Sequence, residues 1–229
     1  MDKHTSSKKS SRNAKIDWSR LTYGKAMAKK DVKLFSSEQV YSGPAFTVHT
    51  DYVKEGRKQG RRDIIRHTGS VVILATEDGQ KKSSTNNSDR LHSTFILLIQ
   101  QYRHAPGEVL WELPAGRVDP GENKLAAAKR ELIEETGVHA KRWQKAFSFW
   151  ASPGFLAESM TVFLARGLSL GEAHPEEDEQ IHVRFVSLAE AVTMVMSNRI
   201  RDAKTMCGVL WFARKLDAET HMRVVRKRK

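Results

Sequence analysis

The sequence contains one cysteine, Cys207, among 229 residues. A single cysteine can form neither an internal disulfide nor a cysteine-based zinc site, so any metal ion must be bound by oxygen atoms or histidine. Long apolar runs are also missing: runs such as residues 71–75 and 95–99 are far shorter than the roughly 18 residues needed to cross a bilayer. The basic N-terminal segment has no apolar stretch behind it, unlike a secretory signal. We therefore expect a cytoplasmic protein without membrane contact.

The positive charge is confined to the two ends of the chain. The formal net charge is +12, but residues 1–33 carry ten basic and three acidic residues, and residues 221–229 carry five basic residues and no acidic one. The remainder of the chain is neutral, with no basic face rich in aromatic residues. We expect solvated ends rather than nucleic acid binding; the alternative is that these ends dock RNA or another anion.

Alternating and helical patterns predict a mixed fold. Strands are predicted at residues 39–53, 62–66, 70–75, 94–101, 160–165 and 181–186, and helices at 123–136, 188–197 and 203–216. A long polar connection covers residues 79–92. Because strands and helices do not follow a strict βαβ order, the pattern indicates an α/β protein with helices packed on a mixed sheet. The predicted segments are a flexible basic extension at 1–36, N-terminal strands at 37–68, the main domain at 69–218 and a basic tail at 219–229.

Three carboxylates lie on one flank of the predicted helix at 123–136. Glu131 precedes Glu134 and Glu135 by three and four residues, which brings the three side chains close together on a helix. Such a cluster is tolerated when it is solvated or when a hard cation lies among the oxygens, and Mg²⁺ suits these ligands. Arg130 can pair with a neighbouring carboxylate and hold it in place.

The surrounding residues show that this is not simply an exposed acidic helix, because the whole pattern is too specific to arise by chance. The identities are fixed at seven positions: Gly116, Glu122, Arg130, Glu131, Glu134, Glu135 and Gly137. With each at ordinary background usage, they should coincide on the order of once in 10⁸ windows. Together with aliphatic Leu132 and Val138, they match GX5EX7REUXEEXGU, where U is aliphatic, and so resemble the signature of the Nudix hydrolases. The resemblance implies an α/β/α sandwich and Mg²⁺-dependent hydrolysis of a nucleoside diphosphate linked to a further group, with Mn²⁺ as a second candidate metal.

The flanking sequence resembles the ADP-ribose pyrophosphatase branch of that family. The matching segments are QQYRH at residues 100–104, WELPAG at 111–116, SPGF at 152–155 followed by Glu158, RHTG at 66–69 and IRDA at 200–203. Pro153 lies 16 residues beyond Gly137, as is typical of the branch. The resemblance covers roughly 80% of the chain and implies cleavage of ADP-ribose or a related ADP-sugar to AMP and a sugar phosphate. It also implies a homodimer, with the strands at residues 39–66 as a swapped element.

The resemblance assigns roles to individual residues. Glu131 and Glu135 are the expected direct metal ligands, with the Ala115 carbonyl and with Glu134 as a further ligand or orienting group. Arg130 and Glu122 would hold these carboxylates, and Gly116 would allow close approach of the backbone. The general base is expected within residues 176–179, with Glu177 as our choice. Candidate substrate-binding residues are Arg103 for the pyrophosphate, Arg61, Arg62 and Asp63 for the nucleotide, and Glu158. Glu158 is either a contact of the terminal ribose or of the groups around it, or a charge at the end of a strand.

Two alternatives stay open at this point. The protein could be a Nudix hydrolase of another nucleoside diphosphate substrate. It could also be a catalytically weak module that senses ADP-ribose or binds RNA through its basic ends. The complete set of carboxylates on the helix argues against the second alternative, because a pure binding protein has no need of a metal site.

Overall fold

The computed structural model describes residues 32–78, 87–171 and 180–227. Within these ranges the strands are β1 (Val32–Ser42), β2 (Thr47–Glu55), β3 (Lys58–Arg66), β4 (Ser70–Asp78), β5 (Thr94–Arg103), β6 (Glu108–Glu112), β7 (Ala115–Arg117), β8 (Val138–Ser152), β9 (Leu156–Leu170) and β10 (His182–Ser187). The helices are α1 (Asn87–Ser93), α2 (Lys124–Thr136), α3 (Leu188–Met196) and α4 (Ala203–Lys227). A search of the described helices finds none with the length and apolar character of a membrane span.

The strands form one mixed sheet with helices on both faces. Its main path runs β1-β2-β3-β9-β4-β5-β10, with β6 on β5, β7 on β4 and β8 on β9. Alternate residues of β4 point to opposite faces: Val71 and Ile73 pack with the buried side of α2, and Val72 and Leu74 pack with α3 and α4. This three-layer arrangement confirms the predicted α/β/α sandwich.

The N-terminal strands form an antiparallel extension of the sheet. β3 joins the main body through only two parallel pairs, Ile65 with Leu156 and Arg66 with Ala157. β1 begins at Val32, earlier than the predicted boundary at residue 37, because its register with β2 continues from Val32 opposite Glu55. The predicted stretch at 39–53 is split by a turn at residues 43–46, where the Gly43 N–H donates to the Phe46 carbonyl and Pro44 lacks a donor for the ladder. The predicted extension before residue 32 lies outside the described residues.

The C-terminal helix is longer than its sequence pattern predicted. α4 continues to Lys227, through the boundary predicted at residue 219. Arg90 of α1 donates hydrogen bonds to the Leu216 carbonyl and the Thr220 hydroxyl, at 3.0 and 2.7 Å. These bonds hold the later turns of α4 against α1, a helix that begins within the connection predicted at 79–92 and ends at Ser93. Residues 79–86 of that connection are outside the described residues.

Candidate active site

Local sequence signals define α2. The side chain of Asn123 accepts a hydrogen bond from the Leu125 N–H at 2.8 Å and so caps the first turn. Gly137 ends the helix in the left-handed conformation, with φ of 67°, and its N–H donates to the Ile133 carbonyl. Ala127, Ala128 and Leu132 face the core. Burial of this side fixes the rotation of α2 and turns Arg130 and Glu131 toward β7.

β7 brings backbone against the carboxylates of α2. It pairs antiparallel with β4, with Ala115 opposite Val72 and Gly116 opposite Val71. The Ala115 N–H donates to Glu135 Oε2 at 3.0 Å, and Glu135 is only 4% exposed. The carboxylate of Glu135 and the backbone of residue 115 are therefore adjacent, as expected for two ligands of one site.

Gly116 is required by the position of Glu131. A Cβ atom on residue 116 would lie 2.0 Å from the carboxyl carbon of Glu131 and 2.1 and 2.2 Å from its oxygens. These separations are far below van der Waals contact. The space beside the Gly116 backbone is therefore filled by the carboxylate, and no other residue type fits there without displacing Glu131.

Arg130 gathers the remaining carboxylates of the signature. Its guanidinium donates to Glu131 and Glu134 at 2.8 Å each, to both oxygens of Glu122 at 3.1 Å and to the Arg117 carbonyl at 3.1 Å. The hydrogen bond with Glu122 is the main reason that the pKa of Arg130 is raised. The same hydrogen bond, helped by the Asp119 N–H, lowers the pKa of Glu122. Arg130 is thus held as a fixed cation between Glu122 and the two carboxylates of α2.

A second group of charges lies where β5 and β6 meet. Arg103 donates to both oxygens of Glu112 at 2.8 Å, and Lys204 also donates to Glu112, which is buried. The hydrogen bond to Glu112 is the main cause of the raised pKa of Arg103. The negative charge of Glu135 raises this pKa further. Burial raises the pKa of Glu112, but Arg103 and Lys204 outweigh it, so that the pKa lies below its ordinary value. Arg103 is therefore within electrostatic range of Glu135 on α2.

The other predicted substrate residues lie in two different places. Glu158 accepts a hydrogen bond from Ser70 at 2.6 Å, and Ser70 pairs with Arg117 of β7, so Glu158 is at the same end of the sheet as the carboxylates. The hydrogen bonds of Arg61, Arg62 and Asp63 are made within the N-terminal strands. Glu177 and the remainder of residues 176–179 lie outside the described residues.

The donor set fits a hard divalent cation in type. In the part of the chain that the structure describes, no group of three or more His, Cys, Asp or Glu side chains is arranged to enclose a metal ion, and Glu131 and Glu134 are bonded to Arg130. Glu135 nevertheless lies at the backbone of residue 115, Glu131 lies against the backbone of Gly116, and Glu134 is tied to Glu131 through their shared bonds with Arg130. Carboxylate and carbonyl oxygens are the ligands that such cations prefer.

Sequence reasoning missed the residues that surround Glu112. Glu112 lies within the quoted WELPAG segment and Asp202 within IRDA, but neither received a role. Lys204 and Thr205 were missed because the bonds that connect them to the site segment, with Glu112 and Leu113, span 92 residues of the chain. Only the long-range contact between α4 and β6 reveals them.

Comparison with known proteins agrees with this geometry. The NUDIX domain family model matches residues 66–207. The ADP-ribose pyrophosphatase of Bacillus subtilis (strain 168) is 34% identical over 186 residues, covering 80% of this chain and 93% of that protein. The ADP-ribose pyrophosphatase of Mycobacterium tuberculosis (strain ATCC 25618 / H37Rv) is 36% identical over 189 residues, covering 80% and 84%. The crystal structure of an ADP compounds hydrolase shares the fold, with a TM-score of 0.69 at 19% identity over 85% of this chain and 98% of that one.

The chain belongs to the Nudix family. The predicted resemblance to Nudix hydrolases of the ADP-ribose pyrophosphatase branch, and the prediction of a Nudix pyrophosphohydrolase, are confirmed. Nudix ADP-ribose pyrophosphatases generally use divalent metal ions.

Proposed function

We propose that this protein hydrolyses the pyrophosphate of ADP-ribose, or of a related ADP-sugar, to AMP and a sugar phosphate with Mg²⁺, which Mn²⁺ can replace. The observation that carries the proposal is the position of Glu135 at the backbone of residue 115 and of Glu131 at Gly116, with Arg130 bonded to both Glu131 and Glu134. The substrate assignment is supported by relatives named ADP-ribose pyrophosphatase that match four-fifths of the chain.

The residues that would hold the metal are Glu131, Glu135, the Ala115 carbonyl and Glu134. A bound Mg²⁺ supplies positive charge against the phosphate oxygens and makes a bound water more acidic. Arg130 and Glu122 orient the carboxylates, because each bond from Arg130 restricts the rotation of its partner. For the general base we retain Glu177, whose carboxylate would accept the proton of the attacking water.

Substrate recognition is assigned to arginines and to two carboxylates. Arg103 would contact the pyrophosphate, since a guanidinium matches phosphate oxygens in geometry and charge. Arg61, Arg62 and Asp63 would contact the nucleotide, and Glu158 the terminal ribose. We also propose a homodimer formed through the N-terminal strands and a cytoplasmic location.

The test is turnover of ADP-ribose by the purified protein in excess Mg²⁺, with products identified by mass spectrometry. We expect AMP and ribose 5-phosphate from the wild type. Glu135→Gln should reduce turnover by about a hundredfold or more, because it removes one charged ligand while keeping the side-chain shape. Glu190→Gln is the matched control: Glu190 lies on α3, is bonded to Arg184, and should leave turnover unchanged.

Other outcomes would assign a different role. Binding of ADP-ribose without turnover would favour the sensing module. Neither binding nor turnover, with cleavage of another nucleoside diphosphate, would keep the hydrolase and replace its substrate. Equal turnover by wild type and Glu135→Gln would contradict the assignment of the site.

A further inference from the structure

A closed set of hydrogen bonds lies at the start of α4. Asp202 precedes the helix, and its Oδ2 accepts from the Thr205 N–H at 3.0 Å and from the Thr205 hydroxyl at 2.5 Å. Its Oδ1 pairs with Lys204 at 3.1 Å. Lys204 in turn donates to the carboxylate of Glu112, at the end of β6. Asp202 thus caps α4 and also holds Lys204 toward β6.

The same hydrogen bonds also reach the backbone of the residue that follows Glu112. The Leu113 N–H donates to the Thr205 hydroxyl oxygen at 2.7 Å. A hydroxyl has one proton, and that proton is given to Asp202, so the oxygen is left as an acceptor for Leu113. Thr205 is fully buried, and Lys204 and Glu112 are nearly so. In this environment each of these bonds is costly to leave unmade.

Residues 112–115 are held on their other sides as well. Arg103 grips Glu112 with two bonds of 2.8 Å. The Pro114 carbonyl accepts from the Ile73 N–H of β4 at 2.8 Å, and the Ala115 N–H donates to Glu135 at 3.0 Å. The segment 112–115 is therefore a short bridge, with α4 bonded at its start and α2 bonded at its end. The two helices pack on opposite faces of the sheet.

We propose that Thr205 and Lys204, held by Asp202 at the start of α4, are positioning residues that set the segment 112–115 and with it the metal-binding carbonyl of Ala115. The inference rests on the proposed metal-dependent function. Loss of either bond would free the start of the segment and allow the carbonyl of residue 115 to shift relative to the carboxylates of α2. Residues that orient metal ligands from outside the coordination sphere have effects of about 10- to 100-fold on metal affinity or activity.

The test measures Mn²⁺ binding to the whole protein without substrate, by electron paramagnetic resonance or calorimetry. Thr205→Val keeps the shape and removes the acceptor for Leu113, and we expect the Mn²⁺ dissociation constant to rise about tenfold. Thr205→Ser restores the hydroxyl and should bring the constant back to within about twofold of wild type. Lys204→Met removes the hydrogen bond from Lys204 to Glu112. If Thr205→Val fails to fold, this second variant tests the proposal, and we again expect the Mn²⁺ dissociation constant to rise about tenfold.

Thr220→Val is the matched control. Thr220 lies on the same helix, is 7% exposed against 0% for Thr205, and accepts from Arg90 instead of from the site segment. Loss of the Thr220 hydroxyl should leave the Mn²⁺ dissociation constant unchanged. An unchanged dissociation constant in folded Thr205→Val or Lys204→Met, or an equal rise in Thr220→Val, would overturn the inference.

The measurement also separates this inference from the proposed function. Mn²⁺ binding that weakens as expected, in a protein that does not cleave ADP-ribose, would support the positioning role and reject the substrate. Cleavage of ADP-ribose with Mn²⁺ affinity untouched by both variants would reject the positioning role alone. A wild-type protein that binds no Mn²⁺ would overturn both.

Discussion

The position of Glu131 requires a glycine at residue 116. The Cβ atom of an alanine would overlap the Glu131 carboxyl group, with 2.0 Å to its carbon. We expect Gly116→Ala to displace this carboxylate and to reduce kcat/KM for ADP-ribose by about a hundredfold, with weaker Mn²⁺ binding. Steady-state kinetics over a range of metal concentrations would measure both effects.

The control for this variant is Gly154→Ala. Gly154 lies in an exposed turn, and a Cβ atom there meets nothing within 4 Å. The Gly154→Ala variant should therefore have the kcat/KM and the metal binding of the wild type. Wild-type kinetics in Gly116→Ala would mean that the Glu131 carboxylate can leave its position at residue 116 without loss of activity. Glu131 would then be removed from the proposed metal ligands.

The buried carboxylate of Glu112 makes stability depend on pH. Arg103 and Lys204 hold its pKa below the ordinary value of 4.5 despite burial. The unfolded chain therefore binds this proton more tightly than the folded chain, and the stabilisation is complete above pH 4.5 and is lost as the pH falls through the folded-state pKa. Glu112→Gln should lower the free energy of unfolding at neutral pH by about 3 kcal/mol, because it removes the buried carboxylate that Arg103 and Lys204 share.

The measurement is urea unfolding of wild type and Glu112→Gln from neutral pH down to about pH 3. The difference in unfolding free energy should be constant at neutral pH and should narrow progressively below pH 4.5. A difference that stays constant throughout this range would show that the ionisation of Glu112 does not contribute to stability.

Among the elements, α2 could be predicted almost completely from the sequence. Its cap residues, its apolar spacing and its carboxylates are all within one stretch of fewer than 20 residues, and the observed helix ends at Thr136 as predicted. Its functional residues are therefore local in sequence as well as in space. The helix and the clustering of its carboxylates follow from signals that act over one to four residues, whereas the proposed metal-binding role followed from the longer motif at residues 116–138 and its resemblance to the family.

Strands β6, β7 and β8 were not predicted, and the reasons are clear for β7 and β8. β7 has only three residues, too few to show a period. β8 is long, but its register with β9 shifts between Lys145 and Phe147 and again between Trp150 and Ser152. Each bulge reverses the alternation of faces, so that the sequence loses a continuous two-residue period. Its pairing with β9, rather than its own pattern, determines the strand.

The supporting part of the site was not predictable for a related reason. Glu112, Lys204 and Thr205 are brought together by packing of α4 on the sheet, and each side chain viewed alone is an ordinary polar residue. No local period or spacing connects residues so far apart. Sequence reasoning could therefore find the carboxylates of α2, but the contacts that place the backbone opposite them required the fold.

For the whole molecule, the exposed N-terminal strands are the feature on which the proposed dimer rests. All 11 residues of β1 are exposed, with Leu34 at 56% and Phe35 at 59%, and β1 ends the described strand order with β2 as its neighbour. Exposed apolar side chains on an edge strand are typical of an interaction surface. A second copy of the chain is the partner proposed here, which would also bring the β3 residues Arg61, Arg62 and Asp63 near another protomer.

We expect a dimer at micromolar concentration by sedimentation velocity and a monomer for the double variant Leu34→Glu with Phe35→Glu, because two buried charges would oppose association. If the β3 residues bind substrate across the dimer, the variant should raise KM for ADP-ribose by about tenfold and change kcat less, as expected for lost ground-state binding. The double variant Leu170→Glu with Met196→Glu changes two residues that are exposed as well and lie outside the N-terminal strands, and it should stay dimeric. A monomeric wild type would reject the dimer, and a monomeric variant with wild-type KM would place the substrate site within one protomer.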